Sequence, residues 1–204
     1  GDGGYLVVPA KVLHAADYGV PQSRERVIFF GFKKSALTPE AHRQLSQERI
    51  DPLYDPYPPV THGFNHMEEG LMPPSQRKYS KAKYMGAHCQ GQTEIKLDSI
   101  GPTIRSEHHG NIEYRRLSAE HGGNYAEELA GGMVERRLTV RECARIQTFP
   151  DEYQFIQPKT PANVGVSASD AYKIIGNAVP CVLAYNIARR IEEVWPLYFR
   201  EALD

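Results

Sequence analysis

Hydrophobic residues cluster at the two ends of the chain, and near the start their spacing predicts two strands. Residues 5–8 form a short apolar run closed by Pro9, and residues 27–30 form a β-branched and aromatic run closed by Gly31. Short runs bounded by turn-forming residues are typical of buried strands. The sequence Asp-Tyr-Gly-Val-Pro at residues 17–21 predicts a turn between them. The beginning of the chain is therefore predicted to form a strand, a loop and a second strand.

A short helix is predicted at residues 139–149, where local chemistry marks its start. Thr139 can cap the helix, and Glu142, three residues further on, completes a capping box. A proline follows the helix and ends it. Arg141 and Arg145 are four residues apart and share one face. We interpret these arginines as structural residues that hold this region together through hydrogen bonds.

Two further helices are predicted towards the end of the chain. Ser167 or Ser169 can cap a helix at residues 167–176, and Gly176 suits the left-handed residue after its end. The last helix begins near Pro180, since proline is favoured in a first helical turn. Its apolar stripe consists of Leu183, Ile187, Ile191 and Val194 or Trp195. The residues expected to face away are Asn186, Arg190 and Glu193. The stripe requires this helix to pack on another element.

Residues 36–132 differ in composition because prolines are spread through most of the segment. Long helices do not cross so many prolines, so loops and short strands are predicted. One strand is expected near residues 93–97, and a short polar helix at 38–49. An irregular stretch of this length in a compact protein is usually functional or disordered.

Composition excludes several classes of protein. The 204 residues carry a net charge of -1, which gives no global argument for a nucleic-acid partner, so any such contact must come from local patches. The three cysteines have no CxxC spacing, which favours a reducing compartment over a disulfide framework or zinc ribbon. No apolar run is long enough to span a bilayer. The chain starts without Met, so a trimmed product or an expressed fragment is expected.

The most informative local pattern is Gln22-x-Arg24-x-Arg26. Alternate residues of an extended segment point the same way, so two guanidinium groups and an amide converge on one side. Arginine provides planar, bidentate donors for phosphate or carbonyl oxygens. The alternative from the residues alone is a solvated turn with an exposed arginine pair.

Three stretches together resemble the last conserved blocks of the DNA cytosine-5 methyltransferases. Residues 15–27 are similar to the eighth block, residues 137–150 to the ninth, and residues 176–180 to the tenth. The resemblance covers nearly the whole chain but only the C-terminal half or so of the family's architecture. Cys181 departs from the pattern, because the family commonly has a second proline there.

The resemblance implies roles for residues of the eighth and tenth blocks. Arg26 is expected in the active site, near the flipped cytosine, with Gln22 and Arg24 supporting the same loop and the DNA backbone. The turn formed by Asn177, Ala178 and Val179 is expected to complete the pocket for S-adenosylmethionine. Its backbone amides and the Asn177 side chain would face this methyl donor. The alternative for the turn is a simple joint between two helices.

The region between the blocks corresponds to the family's target-recognition domain, and double-stranded DNA is the implied partner. Residues 101–105 resemble the short threonine–aliphatic element at the recognition face. The residues expected to contact bases or phosphates are Thr103, Arg105, His108, His109, Asn111 and Arg115. Arginine suits guanine and asparagine suits adenine in the major groove. The alternative is that these charges are ordinary solvated surface. Histidine spacing fits no familiar zinc pattern, so no metal is expected.

The blocks that carry the attacking cysteine and bind the donor in this family are not found in the sequence. Cys89 faintly echoes the nucleophile loop, but it lies inside the recognition region. The glycine-rich strand–helix opening is absent too. We therefore expect the chain to be the recognition part of an enzyme, inactive alone and completed by an N-terminal catalytic half. The alternative is a non-catalytic DNA-binding or partner-binding module derived from such an enzyme.

The predicted fold is α/β, with three segments. Residues 1–35 supply edge strands of a Rossmann-like methyltransferase domain, residues 36–165 a small, mostly β target-recognition domain, and residues 166–204 helices that return to the catalytic domain. A cytoplasmic, nucleoid-associated enzyme of bacterial restriction–modification is the setting that the family suggests.

Overall fold

The structure is a computed structural model. It describes residues 4–46, 93–94, 100–106, 112–115, 127, 130–132 and 136–200. The chain divides into two units. The terminal unit contains residues 1–19, 24–61 and 182–204, and the central unit contains residues 20–23 and 62–181.

The terminal unit is built on a two-stranded antiparallel ribbon. Strands β1 (Tyr5–His14) and β2 (Glu25–Lys33) pair along their whole length, with an irregularity between Val8 and Lys11. The prediction that Pro9 and Gly31 close these strands was wrong. Pro9 lies at the irregularity. Proline has no backbone N–H group, and at this position the regular pairing of the strands does not require one.

The irregularity determines which side chains of the ribbon are exposed. The extra residue shifts the alternation in β1, so that Tyr5 and Val7 before it and Val12 after it are all exposed. In β2, Phe29 is 67% exposed and Val27 is 53% exposed, although the apolar run predicted a buried strand. Phe30 and Phe32 alternate with them and are buried. The described part of the terminal unit therefore carries an apolar, exposed ribbon face.

Short helical segments flank the ribbon. A 3₁₀ turn, Ala15–Tyr18, follows β1 and ends at Gly19, whose φ of 91° is left-handed. Helix α1 (Pro39–Ser46) begins after Thr38, whose hydroxyl accepts a hydrogen bond from the Ala41 amide at 3.1 Å. The short polar helix predicted at residues 38–49 is thus confirmed as far as the described residues extend.

The last helix, α4 (Cys181–Tyr198), packs in part through the predicted stripe. Leu183 is fully buried, but Trp195 is 55% exposed. Asn186 was predicted to face away and is instead buried. Its side-chain amide donates to the Tyr18 carbonyl at 2.9 Å and to the Val182 carbonyl at 3.0 Å. A buried polar group needs such partners, and sequence spacing alone does not reveal them.

The end of α4 is tied to the segment before α1. The Thr38 amide donates to the Tyr198 carbonyl at 2.9 Å, and the Arg200 amide donates to the Ala36 carbonyl at 3.0 Å. Phe199 meets Phe32 edge to face, with ring centroids 5.6 Å apart. These contacts join the two ends of the described chain within the terminal unit.

In its described residues, the central unit contains a small sheet and, after it, helices that carry the core. Strand β3 (Thr93–Glu94) is parallel to β4 (Ile112–Arg115), and β4 is antiparallel to β5 (Arg136–Arg137). The strand predicted near residues 93–97 is present at its first two residues, and the rest lies outside the described residues. Helices α2 (Val140–Ile146) and α3 (Ala168–Asn177) follow.

Helices α2 and α3 begin at the predicted caps, but α2 ends at Ile146, before the predicted end at residue 149. Thr139 and Glu142 form the complete capping box of α2, and the Ser167 hydroxyl accepts from the amide at the third residue of α3. The helices share an apolar core. Its most buried members include Ile104, Leu138, Val140, Cys143, Ala144, Ile146, Ala171 and Ile175. Tyr172 joins this core and donates its hydroxyl to the Leu138 carbonyl at 2.6 Å.

The two arginines of α2 stabilise the segment that follows the helix. Arg141 is buried and donates to the carbonyl oxygens of Pro150, at 3.0 Å, and Tyr153, at 2.5 Å. Arg145 forms a bidentate pair with Asp151, with N–O distances of 2.8 and 2.7 Å. Burial lowers the pKa of Arg141, while Asp151 opposes that change. The prediction of a structural role for both arginines is confirmed.

Candidate functional site

The predicted Gln-x-Arg-x-Arg pattern is extended and alternates in burial. Gln22 and Arg24 are 0% and 1% exposed, whereas Ser23 and Glu25 are exposed. Arg26 is half-buried, and one of its terminal nitrogens donates to the Glu25 carbonyl at 2.6 Å. Of the three side chains expected at the active site, Arg26 is therefore the accessible one in the described chain.

The environment of Arg24 disfavours its charge. Burial lowers the pKa of Arg24 to about 10, and the neighbouring positive charge of Arg26 contributes to the lowering. The guanidinium group stays protonated at neutral pH, because even this lowered pKa lies well above 7. A buried side chain of this kind is suited to a structural role in the segment at residues 22–26.

Gln22 belongs to a relay of two side-chain amides in the central unit. The Ile104 amide donates to Gln22 Oε1 at 3.1 Å, and Gln22 Nε2 donates to Gln147 Oε1 at 2.5 Å. Gln147 Nε2 then donates to the carbonyl oxygens of Ile175, at 2.9 Å, and Ala178, at 2.8 Å. Both glutamines are fully buried. The amide relay, as we call these two side chains, joins four segments that are distant in sequence.

The backbone partners fix the direction of the amide relay. Because the Ile104 amide is a donor, Gln22 must present its oxygen there and its NH₂ group to Gln147. The carbonyls of Ile175 and Ala178 are acceptors, so Gln147 must direct its NH₂ group towards them. Each of the two glutamine side chains therefore both accepts and donates a hydrogen bond.

The backbone of residues 21–23 also holds residues 101–103. The Ser23 amide donates to the Gly101 carbonyl at 2.7 Å, and the Gly101 amide donates to the Pro21 carbonyl at 3.0 Å. The Thr103 hydroxyl donates to the Ser23 carbonyl. Ile104 is fully buried, which leaves the side chain of Arg105 exposed beside it. Residues 101–106, which we call the recognition segment after the role that the resemblance implies, are thus anchored with Arg105 towards solvent.

Gly176 brings α3 against this recognition segment. The sequence predicted a left-handed residue after the helix, which was wrong: Gly176 lies within α3, and the cap is Ala178 in an extended conformation. A Cβ atom on Gly176 would lie 2.4 Å from the Arg105 carbonyl carbon and 2.5 Å from the Ser106 nitrogen. Glycine is required here by close backbone approach and not by its φ angle.

The turn after α3 presents side chains more than backbone groups. Asn177 and Val179 are exposed, and Ala178 between them is half-buried. The Ala178 amide donates to the carbonyls of Ile174 and Ile175, at 3.2 Å each, and its own carbonyl accepts from Gln147. The expectation that the turn's backbone amides face the donor therefore fails at Ala178. The outward groups of this turn are the side chains of Asn177 and Val179.

Several predicted site residues lie outside the part of the chain that the structure describes. His108, His109 and Asn111 are outside the described residues, and Arg115 is described only as part of β4, without its side chain. Cys89 lies outside them as well. In the described part of the chain, no group of three metal-ligating side chains comes together. No helix in that part is long and apolar enough to cross a membrane.

The two described cysteines are poor nucleophiles. Cys143 is buried in the core of the central unit, and burial raises the pKa of its thiol, with the Glu142 charge raising it further. Cys181, the first residue of α4, is partly exposed, and burial raises the pKa of its thiol as well. Thiolate is the reactive form, so neither side chain is suited to attack a base.

Gln147 is the residue of this site that the sequence did not reveal. It follows the last residue of α2 and occupies the helix cap, shortly after a run of core residues. The local signal was a polar amide directly after the core residues Cys143, Ala144 and Ile146. Its partners come from residues 28 and 31 positions further along the chain, which no local pattern predicts.

The chain belongs to the C-5 cytosine-specific DNA methylase family, whose sequence model matches residues 2–193. It is 32% identical to the type II methyltransferase M.BspRI of Lysinibacillus sphaericus, over 98% of this chain and 46% of that protein. It is 31% identical to the type II methyltransferase M.BsuRI of Bacillus subtilis, over 96% of this chain and 44% of that protein. The chain spans about half the length of the curated relatives it matches.

A solved structure with a similar fold is that of the methyltransferase EhMeth of Entamoeba histolytica. The two share 15% identity and a TM-score of 0.50, over 94% of this chain and 55% of the other. At this identity the likeness concerns the fold alone, which is that of an α/β methyltransferase.

Proposed function

We propose that this chain is the C-terminal, DNA-recognising part of a DNA cytosine-5 methyltransferase, and that it completes the active site of that enzyme. The observation that carries the proposal is the amide relay. It connects the three segments that resemble the eighth, ninth and tenth blocks, through Gln22, Gln147 and Ala178, with the recognition segment. A fully satisfied buried polar network rigidifies the region that it connects, so it holds these segments in fixed relative positions, as one shared site requires.

Arg26 is the residue that we assign to the reacting base. Its side chain is half-buried and therefore accessible to a ligand. A flipped cytosine exposes carbonyl and ring-nitrogen acceptors, and a guanidinium group offers planar donors to such atoms. Arg24 and Gln22 act as positioning residues, because both side chains are buried.

The turn at residues 177–179 is assigned to the pocket for S-adenosylmethionine, which supplies the methyl group when bound. Two features of the turn fit this ligand. Asn177 offers amide donors and acceptors to polar groups, and Val179, which is 45% exposed, offers an apolar surface. Ala178 contributes by fixing the turn, since its backbone groups bond within the protein.

Duplex DNA is the proposed substrate of the whole enzyme. In the recognition segment, Thr103 is anchored and Arg105 is exposed, as required for a base or phosphate contact. The remaining proposed contacts are His108, His109, Asn111 and Arg115. A bacterial restriction–modification system is the proposed setting, with the enzyme in the cytoplasm and on the nucleoid.

The proposed partner of the chain is the N-terminal catalytic half of the enzyme, within the same polypeptide or as a separate subunit. The exposed ribbon face supports this partner, because Tyr5, Val7, Val12, Val27 and Phe29 are between 53% and 68% exposed. An apolar patch on a monomer commonly marks an interaction surface. Since the nucleophile and donor-binding blocks are not found in the sequence, we propose that the chain alone does not transfer methyl groups.

The recognition function is tested by selecting duplex DNA from a random library with the pure chain. Enrichment of one sequence motif, with affinity for it above that for scrambled duplex at fixed salt, is the expected result. An Arg105→Ala variant should lose part of this preference, while Arg43→Ala, an exposed arginine of α1, should retain it. Equal binding of all sequences by the wild-type chain would contradict the proposal and leave the chain as a partner-binding module.

A further inference from the structure

We propose that Gln22 and Gln147 are positioning residues which couple the recognition segment to the turn at residues 177–179. In this view the DNA-sequence preference depends on the amide relay, although neither glutamine touches DNA. The inference rests on the proposed function above, since it assigns those two segments their roles. It adds two residues for specificity that lie in the interior of the central unit.

The hydrogen bonds of the amide relay are continuous. From the Ile104 amide to the Ala178 carbonyl, every donor meets an acceptor, at distances between 2.5 and 3.1 Å. The Gln147 backbone adds a second hold on the same turn, because its carbonyl accepts from the Cys181 amide at 3.2 Å. Gln147 therefore binds the turn on both sides of Pro180.

The residues of the amide relay are buried. Gln22, Gln147 and Ile104 are each 0% exposed, so water cannot replace a relay bond that is lost. A shift of the recognition segment would leave the Ile104 amide without its acceptor, and a shift of the turn would leave the Gln147 side-chain amide without its acceptor. The positions of the recognition segment and of the turn at residues 177–179 therefore depend on each other.

The same two segments are also in direct contact, independently of the amide relay. Gly176 places the backbone of α3 against Arg105 and Ser106, where a Cβ atom would be 2.4 to 2.6 Å from backbone atoms. Backbone contact of this kind transmits displacement, because packed interiors have little free volume. Arg105, the exposed side chain of the recognition segment, is adjacent to both links.

The direction of the amide relay permits a specific perturbation. A glutamate side chain at position 22 can accept from Ile104, but it has no NH₂ group for Gln147, so two acceptors face each other. A lysine side chain at position 147 supplies three donors. Its acceptors would be the new carboxylate at position 22 and the carbonyls of Ile175 and Ala178. The double variant Gln22→Glu with Gln147→Lys therefore restores a complete set of partners that each single variant lacks.

The experiment measures the selectivity ratio, which is the affinity of the full chain for its selected duplex divided by that for scrambled duplex. Loss of folded protein lowers both affinities equally, so the ratio does not respond to a purely structural defect. We expect Gln147→Met, which keeps the size but removes the hydrogen bonds, to lower the ratio about tenfold. Gln154→Met, on an exposed glutamine of the same unit, is the matched control and should leave the ratio unchanged.

The charged variants provide the second arm. Gln22→Glu and Gln147→Lys should each lower the ratio about tenfold, and the double variant should recover to within about threefold of the wild type.

Two negative outcomes are distinguishable. An unchanged ratio in folded Gln147→Met, with a selective wild-type chain, would overturn this inference and leave the proposed function intact. A wild-type chain without any selectivity would overturn the proposed function itself, and the inference with it.

Discussion

Replacing Gly176 by alanine should destabilise the central unit, although the same change in most helices is stabilising. Alanine is favoured over glycine inside a helix by about 1 kcal/mol. Here the new Cβ atom would lie 2.4 Å from the Arg105 carbonyl carbon, 2.5 Å from the Ser106 nitrogen and 2.6 Å from the Arg105 oxygen. Ordinary contacts begin at 3.4 Å, so α3 and the recognition segment must separate by roughly 1 Å.

The cost of that separation exceeds the gain in helix propensity. Insertion of a methyl group into a well-packed interior costs about 1–3 kcal/mol, and a clash with rigid backbone lies at the upper end of this range. After the gain of about 1 kcal/mol is subtracted, the free energy of unfolding should fall by about 2 kcal/mol.

Urea denaturation followed by far-ultraviolet circular dichroism measures this difference. Gly31→Ala is the matched control, because a Cβ atom there meets only Tyr5 Cδ1 at an ordinary 3.8 Å. It should leave the free energy of unfolding unchanged or raise it by less than about 1 kcal/mol. A Gly176→Ala variant as stable as the wild type would refute the close approach of α3 and the recognition segment.

Three other predictions concern single residues. Thr139→Ala should lower the free energy of unfolding by about 1 kcal/mol, because it removes the capping box of α2. Urea denaturation measures the difference, and an unchanged midpoint would contradict the prediction. The Cys143 thiol should resist iodoacetamide at pH 8 in the folded chain and react in urea, because burial raises its pKa. Site-resolved mass spectrometry measures the labelling. Rapid labelling of Cys143 in the folded chain would contradict its burial in the packed core. Arg26→Ala should change the free energy of unfolding by less than about 0.5 kcal/mol, while Arg24→Ala should lower it by more than about 1 kcal/mol, because Arg24 alone of the two is fully buried. Equal effects at the two arginines would contradict their assigned roles.

Sequence predicted the elements whose causes are local. The capping box of Thr139 and Glu142 depends on residues three apart, and it is present as expected. The cap of α3 at Ser167 has the same origin. The ribbon strands were located but predicted too short at Pro9, because a local irregularity in pairing lets the strand continue through a proline.

Features that depend on distant partners were not predictable. Gly176 was interpreted from helix-end chemistry, whereas its actual constraint is the backbone of Arg105 and Ser106. Asn186 has the spacing of a solvent-facing residue, yet the Tyr18 carbonyl makes its burial possible. Gln147 shows the same limit at the candidate site, since its role arises only when Gln22 lies within hydrogen-bonding distance.

The measurement that tests the central claim most directly is methyl transfer from labelled S-adenosylmethionine to duplex DNA. The chain would be assayed alone, and then mixed with the N-terminal half of a related type II methyltransferase such as M.BsuRI. Our account predicts no incorporation by the chain or by that half alone, and incorporation at cytosine in the mixture. Incorporation by the chain alone would contradict the account, and so would an inactive mixture in which the two halves demonstrably bind each other.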